Sequence, residues 1–199
     1  MVPPLMMERI ASSIYEKVLE KYNGWFYICS STRRIFDEHI DWSIRGYRNL
    51  LNDTISFSRY FVENNTNVVD IGCSTGKTTE KMLLHNKDHC KNATYVGIEI
   101  AKGFYDNLDE RLVDLSKKEP WAQVEFIKDD VRHYNFDNCS LVTSIFTLQF
   151  MPKRHRQEVI QNIYNGLNEG GAFIFGEKIY TEDAFIQDIL TFNYYDFKR

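Results

Sequence analysis

Three carboxylates in this chain close or nearly close short apolar runs. Asp70 sits in "NVVDIG" (67–72), Glu99 ends "TYVGIE" (94–99) and Asp130 ends "QVEFIKDD" (123–130). An ionised carboxylate at such a place is a strong acceptor for the hydroxyl, amino or ammonium groups of a ligand. Asp70 also opens a loop, "DIGCSTG" (70–76), that reads D-x-G-x-x-x-G and runs on into Lys77 and Thr78. Glycines there let backbone approach a bound nucleotide closely. Two familiar nucleotide loops fail on spacing. The phosphate-binding P-loop sets its first glycine further from the Gly-Lys pair, whereas only Cys73, Ser74 and Thr75 separate Gly72 from Gly76. So short a loop cannot wrap a phosphate in the usual nest of amides, and Lys77 reads as a solvated residue on a first helical turn. The dinucleotide pattern G-x-G-x-x-G fails because Cys73-Ser74 replaces its x-G step.

The elements that would position these groups alternate. Ile10, Ile14 and Val18 predict an amphipathic helix over 5–22, "NGWFYICS" (23–30) breaks it as loop or short strand, and a second helix is expected from Tyr47 to Phe61. Strands are then expected at 67–72, 94–99, 123–130, 140–146 and 172–178, with helices over 78–85 and through "FYDNLDERLVDL". Pro152 suits the first turn of a further helix that would turn Val159, Ile160, Ile163 and Leu167 inward. "GLNEGG" (166–171) reads as helix stop and turn, and a last helix fills the tail. Such alternation predicts an α/β fold: a mostly parallel sheet with helices on both faces, and a ligand crevice just after Ile71, Ile98, Ile127 and Ile145.

In that frame Glu99 can accept both ribose hydroxyls, Asp130 lies where an adenine amino group would come, and Asp70 either orients the loop or accepts from a ligand ammonium. Three acids at successive strand ends point to a Rossmann-like class I methyltransferase fold holding S-adenosylmethionine. Each acid alone has an ordinary explanation: Asp70 as a cap for loop amides, Glu99 as a helix-start acid, Asp129 and Asp130 as a solvated pair.

Composition narrows the class. The 199 residues carry a net charge of −4 and are 43% hydrophobic, which suits one globular domain with a real core and lacks the basic signature of direct nucleic-acid binding. Four scattered cysteines without a C-x-x-C pair read as free thiols in a reducing compartment, hence a cytoplasmic setting. No window is long and apolar enough for a membrane span, and the first residues lack a signal-peptide pattern. His85, His89 and Cys90 read as solvated loop and no metal is expected, and "KRHR" (153–156) reads as a solvated helix start. Cys73 has no base arranged to activate it.

Beyond these features, "FDE" (36–38), "GY" (46–47), "DIGCS" (70–74), "DDVR" (129–132), "FTLQF" (146–150), "IYNGLNEGGA" (163–172), "EK" (177–178) and "DFKR" (196–199) resemble the bacterial carboxy-S-adenosylmethionine synthase family over Ile35 to Arg199. The resemblance implies a domain over 35–199 with an N-terminal helical extension over 1–34, a segment that could cover the sheet edge through "GWFYIC". It implies conversion of S-adenosylmethionine and prephenate to carboxy-S-adenosylmethionine and phenylpyruvate, in tRNA wobble-uridine oxyacetylation, by a homodimer. Carried over by motif, Tyr47, Asp70, Gly72, Cys73, Ser74, Glu99, Ile100, Asp130, Val131 and Ile145 line the cofactor site, and Arg199 pairs with the new carboxylate as the catalytic residue. Departures are visible. The family's Asp-Asn pair is Glu99-Ile100 here, its Asn before "FTLQF" is Ile145, the Pro before its "GY" is Arg45, and its last strands are expected to be missing after Arg199. A conventional methyltransferase and a non-catalytic cofactor-binding subunit are the alternatives.

Overall fold

The computed structural model describes residues 33–197, so the expected helix over 5–22, the "NGWFYICS" stretch and Arg199 lie outside the described residues. Two helices, α1 (Arg33–Ser43) and α2 (Tyr47–Ser58), precede the first strand. Then follow β1 (Asn67–Ile71), α3 (Lys77–Asn86), β2 (Thr94–Ile98), α4 (Tyr105–Lys118), β3 (Gln123–Ile127), β4 (Cys139–Ile145), α5 (Lys153–Gly166), β5 (Leu167–Gly176) and α6 (Ala184–Phe197). The five strands form one parallel sheet in the order β3-β2-β1-β4-β5.

The central strands, "NVVDI" and "TYVGI", are rich in β-branched residues and buried along four of their five positions, because they are covered on both sides. Val68, Tyr95 and Leu141 pack with Met82 and Leu83 of α3 and with Ile55 of α2 on one face. Val69, Ile71, Val96, Ile98 and Val142 pack with Val159 and Ile163 of α5 on the other. The chain builds β1, β2 and β3 outward in one direction, then returns to the far side of β1 for β4. The crevice between β1 and β4 is therefore the place where a ligand can reach backbone from two diverging connections.

Several boundaries differ from expectation. The second helix stops at Ser58 rather than Phe61, and α3 spans 77–86 rather than 78–85. Pro152 stands at the N-cap, one position before α5 begins. Ile160 was expected inward but is 38% exposed, while Val159 and Ile163 are buried. Leu167 opens β5 instead of closing α5. "GLNEGG" is not a free turn: α5 ends at Gly166 and β5 starts at once, pairing Leu167 with Cys139 and Ala172 with Leu141. The extra β5 residues bulge there, with Gly170 at φ 79 supplying the bend. No helix among the described residues is long and apolar enough to cross a membrane.

Candidate functional site

The loop after β1 is shaped by three positive-φ residues, Gly72 (φ 68), Ser74 (φ 48) and Gly76 (φ 74). Its first amides turn back to the sheet: Gly72 N–H and Cys73 N–H donate to the Ile98 carbonyl at 2.8 and 3.1 Å. They are thus not offered to a phosphate. A side chain at Gly72 would collide with Thr147, so this glycine lets the loops after β1 and β4 meet. Gly97 in β2 has the same use, because a Cβ there would run into Phe126 and the Cys73 sulfur.

Glu99 follows β2 and is only 6% exposed. Its Oε2 accepts from Ser74 N–H at 2.8 Å and its Oε1 from Ala101 N–H at 2.7 Å. Each oxygen keeps a further lone pair, so a pair of ligand hydroxyls can still be accepted. Burial pushes the Glu99 carboxyl above its usual range, against the pull of those amides.

Asp70 lies 3% exposed inside the sheet. Its Oδ2 accepts from the Thr79 hydroxyl of α3 at 2.8 Å and its Oδ1 from the Thr143 hydroxyl of β4 at 2.9 Å. Burial pushes this carboxyl up to about 6, with the threonine hydrogen bonds working the other way. The contacts tie β1 to α3 and β4, which is the loop-orienting option for this residue.

Asp130 caps the short 3-10 turn at Val131–His133 by accepting from Arg132 N–H at 2.9 Å. Its other oxygen takes Arg132 Nε and Nη2 at 3.0 and 2.6 Å. Burial alone would raise the carboxyl, but the Arg132 contacts outweigh it and hold it low. An adenine amino group would therefore share this acid with Arg132. Val131 is buried in the core cluster beneath. Cys73 is buried too, and burial with the Asp70 and Glu99 charges pushes its thiol well up, away from nucleophile chemistry.

Tyr47 opens α2, and its ring stacks on Phe146 with centroids 6.3 Å apart. Burial, then the charges of Asp70, Asp37 and Asp41, raise its phenol. Ile145 ends β4 half-buried, whereas Ile100 is 60% exposed. The structure thus gathers Gly72, Cys73, Ser74 and Glu99 through direct contacts, with Asp70 braced behind them. Arg199 lies outside the described residues.

Three contributors carry no role assigned from the sequence, although "FTLQF" and "EK" include two of them. Phe146 takes φ 56, unusual for an aromatic, and its N–H donates to the Gly176 carbonyl at 2.7 Å. Glu177 accepts from Leu148 and Gln149 N–H at 2.8 and 3.1 Å, pinning the turn after β4; only the "EK" pair hinted at it. Arg111 of α4 reaches the loop through the Thr75 carbonyl.

Similarity to known proteins agrees with this geometry. Residues 68–171 match the family model described as a methyltransferase domain. The chain is 36% identical over 174 residues to the carboxy-S-adenosyl-L-methionine synthase of Staphylococcus epidermidis, an alignment of 87% of this chain and 72% of that protein. It is 33% identical to the synthase of the same name from Shewanella oneidensis, over 97% of this chain and 77% of that one. Among solved structures, Haemonchus contortus phosphoethanolamine N-methyltransferase 1, in complex with phosphoethanolamine and S-adenosylhomocysteine, superposes with a TM-score of 0.61 at 15% identity, over 85% of this chain and 33% of that one. A Methanococcus maripaludis protein, a putative S-adenosyl-L-methionine-dependent methyltransferase, gives 0.53 at 13% identity, over 81% and 68%. The solved structures establish the fold, and the sequence identities establish the kinship. The chain belongs to the carboxy-S-adenosyl-L-methionine synthase family, built on the class I methyltransferase fold.

Proposed function

We propose that this protein is a transferase that converts S-adenosylmethionine and prephenate into carboxy-S-adenosylmethionine and phenylpyruvate, for wobble-uridine modification of tRNA. Kinship with proteins named as this synthase, at 36% and 33% identity, is the observation that carries the reading. The strand-end site fits the nucleoside. Glu99 keeps lone pairs for ribose hydroxyls, and Gly72 leaves the backbone bare where a Cβ would collide. The sulfonium acidifies its methyl group, and that is the chemistry the bound S-adenosylmethionine supplies. On the other side, prephenate sheds carbon dioxide and hydroxide as its ring becomes aromatic. The methyl proton leaves with the hydroxide as water, and the carbon dioxide ends on the methyl carbon. The protein's task is then to hold the reactants together and exclude bulk water. Tyr47 and Phe146 would wall the pocket, and Arg199 would pair with the new carboxylate, a role a guanidinium fills bidentately. The same resemblance supports a homodimer, and the scattered cysteines without a C-x-x-C pair support a reducing, cytoplasmic setting.

A conventional methyltransferase is the second reading, favoured by the apolar, 60% exposed Ile100 where the family resemblance wants a polar residue. Mass spectrometry of reactions with S-adenosylmethionine, with and without prephenate, separates the two. A prephenate-dependent product heavier by one carbon dioxide is expected, and Arg199→Ala should abolish its accumulation while S-adenosylmethionine still binds. Demethylated product with no carboxylated species would overturn the synthase reading.

A further inference from the structure

The turn at Ser74 combines a strained backbone with grips on both sides. Ser74 is not glycine, yet it sits at φ 48, a conformation that persists only where surrounding contacts over-determine it. On one side Glu99 takes the Ser74 N–H at 2.8 Å. On the other, Arg111 Nε donates to the carbonyl of Thr75. Arg111 is 7% exposed, and its Cδ lies 3.0 Å from where a Gly76 Cβ would stand, so its stem also packs against the end of the loop.

The guanidinium reaches further. One end pairs with Glu80 of α3, and Nη2 stands 3.5 Å from Asp37 Oδ2 of α1. Asp37 completes the circuit, because its Oδ1 accepts from the Thr75 hydroxyl at 2.7 Å. Beside it, Phe36 packs edge-on against Phe104 with ring centroids 4.7 Å apart, which seats α1 against the start of α4. One buried cation therefore joins α1, the loop, α3 and α4. Stability alone does not call for such a cluster, since apolar residues of similar volume often do as well. A planar guanidinium does supply several donors in fixed directions at once.

We infer that Arg111 is a positioning residue for the cofactor site: it holds the strained Ser74 turn in shape and, through Asp37, docks α1 onto the same loop. Ordering of α1 and ordering of the loop are then one event. The consequence for affinity rests on the cofactor reading above; the coupling itself does not.

The test uses Arg111→Lys and Asp37→Asn in the full chain, with two measurements. Hydrogen exchange without ligand should quicken together in peptides spanning α1 and residues 72–76 for either variant, while β5 is unaffected. Calorimetric affinity for S-adenosylhomocysteine should fall roughly tenfold in Arg111→Lys, the scale of a lost hydrogen bond to a charged group. The double variant should lose less than the sum of the singles, because both act in one circuit. A lower melting temperature with loop exchange unchanged, or loosening of α1 alone, would overturn the inference and leave Arg111 as an ordinary ion pair. So would joint loosening with affinity within about twofold of the parent, because the site would then not depend on the shape Arg111 holds. A parent chain that binds neither S-adenosylmethionine nor S-adenosylhomocysteine would sink the cofactor reading instead, while joint loosening would still uphold the coupling.

Discussion

The centre of the sheet and its β5 edge are finished differently. Around β1, many buried polar groups are answered: Thr79 and Thr143 donate to Asp70, Asn86 donates to Ser58, and Thr66 donates to Ser140, while Asn86 Oδ1 and the Tyr95 and Ser144 hydroxyls have no hydrogen-bond partner among the described residues. Side chains such as Val68, Leu83 and Leu141 are 0% exposed. At the edge, β5 pairs with β4 alone among the described strands, and α6 buries none of its residues. Phe175 of β5 is 58% exposed, and Phe185 and Phe192 of α6 are 73% and 66% exposed. Where both faces and both edges of a strand are occupied, each residue is held by several independent contacts. That surplus lets strained residues such as Ser74 persist beside the ligand crevice. The β5–α6 edge has no such surplus, so it should tolerate change that the centre around β1 cannot.

Two glycines with nearly the same backbone offer the sharpest contrast. Gly72 has φ 68 and Gly170 has φ 79, so alanine is strained at either place. Around Gly170 nothing lies within 4 Å of an added Cβ, whereas at Gly72 the Cβ would collide with Thr147. Gly170→Ala should therefore lose only the left-handed penalty, about 1 kcal/mol. Gly72→Ala should lose about 3 kcal/mol once the clash is added, and with it the fit of the crevice. Urea midpoints decide it, and equal losses would mean that packing does not distinguish the sheet centre from its β5 edge.

The same contrast marks what could be read from the chain. The central strands were legible because burial on both faces leaves runs rich in β-branched residues, and the acids at their ends were legible because they interrupt that pattern. The start of β5 was not, since "GLNEGG" has the local chemistry of a turn and only pairing with β4 draws it into the sheet. Ile160 looked inward by type, yet the helix face is set by Val159 and Ile163. Asp70 was recognisable as an acid that matters, but its choice between bracing and binding depends on Thr143, 73 residues away. Arg111 sits in "DERLVDLSKK", which reads as a solvated face; its partner Asp37 lies 74 positions distant. Phe146 gives no hint of positive φ, because its strain comes from meeting β5 and Tyr47 rather than from its neighbours in sequence.

A second test of the sheet centre uses pH. Burial raises the Asp70 carboxyl from 3.8 to about 6, so the folded state holds this proton more tightly than the unfolded chain does. Its favourable contribution is complete below about pH 4 and is lost as pH rises through about 6. Asp70→Asn removes that titration and keeps one acceptor for a threonine hydroxyl. The parent should therefore lose stability relative to the variant between about pH 4 and 6, by on the order of 2 kcal/mol. A gap that stays flat across this window would show that Asp70 is ionised without penalty, and that the sheet interior there is wetter than its 3% exposure implies.

The smallest effect belongs to α6. Phe192 is 66% exposed, so removing its ring takes little apolar surface back to water. Phenylalanine and serine have similar helix propensities, and the helix itself has no reason to object. Phe192→Ser should change the unfolding free energy by less than about 0.5 kcal/mol, as for other exposed positions. It should also raise the temperature at which the protein aggregates, because it interrupts an exposed run of apolar side chains. A loss above about 2 kcal/mol would be the size expected of a core substitution and would break the comparison. It would mean that α6 is covered in solution, and the dependence of that loss on protein concentration would then say whether the cover is a second copy of the chain.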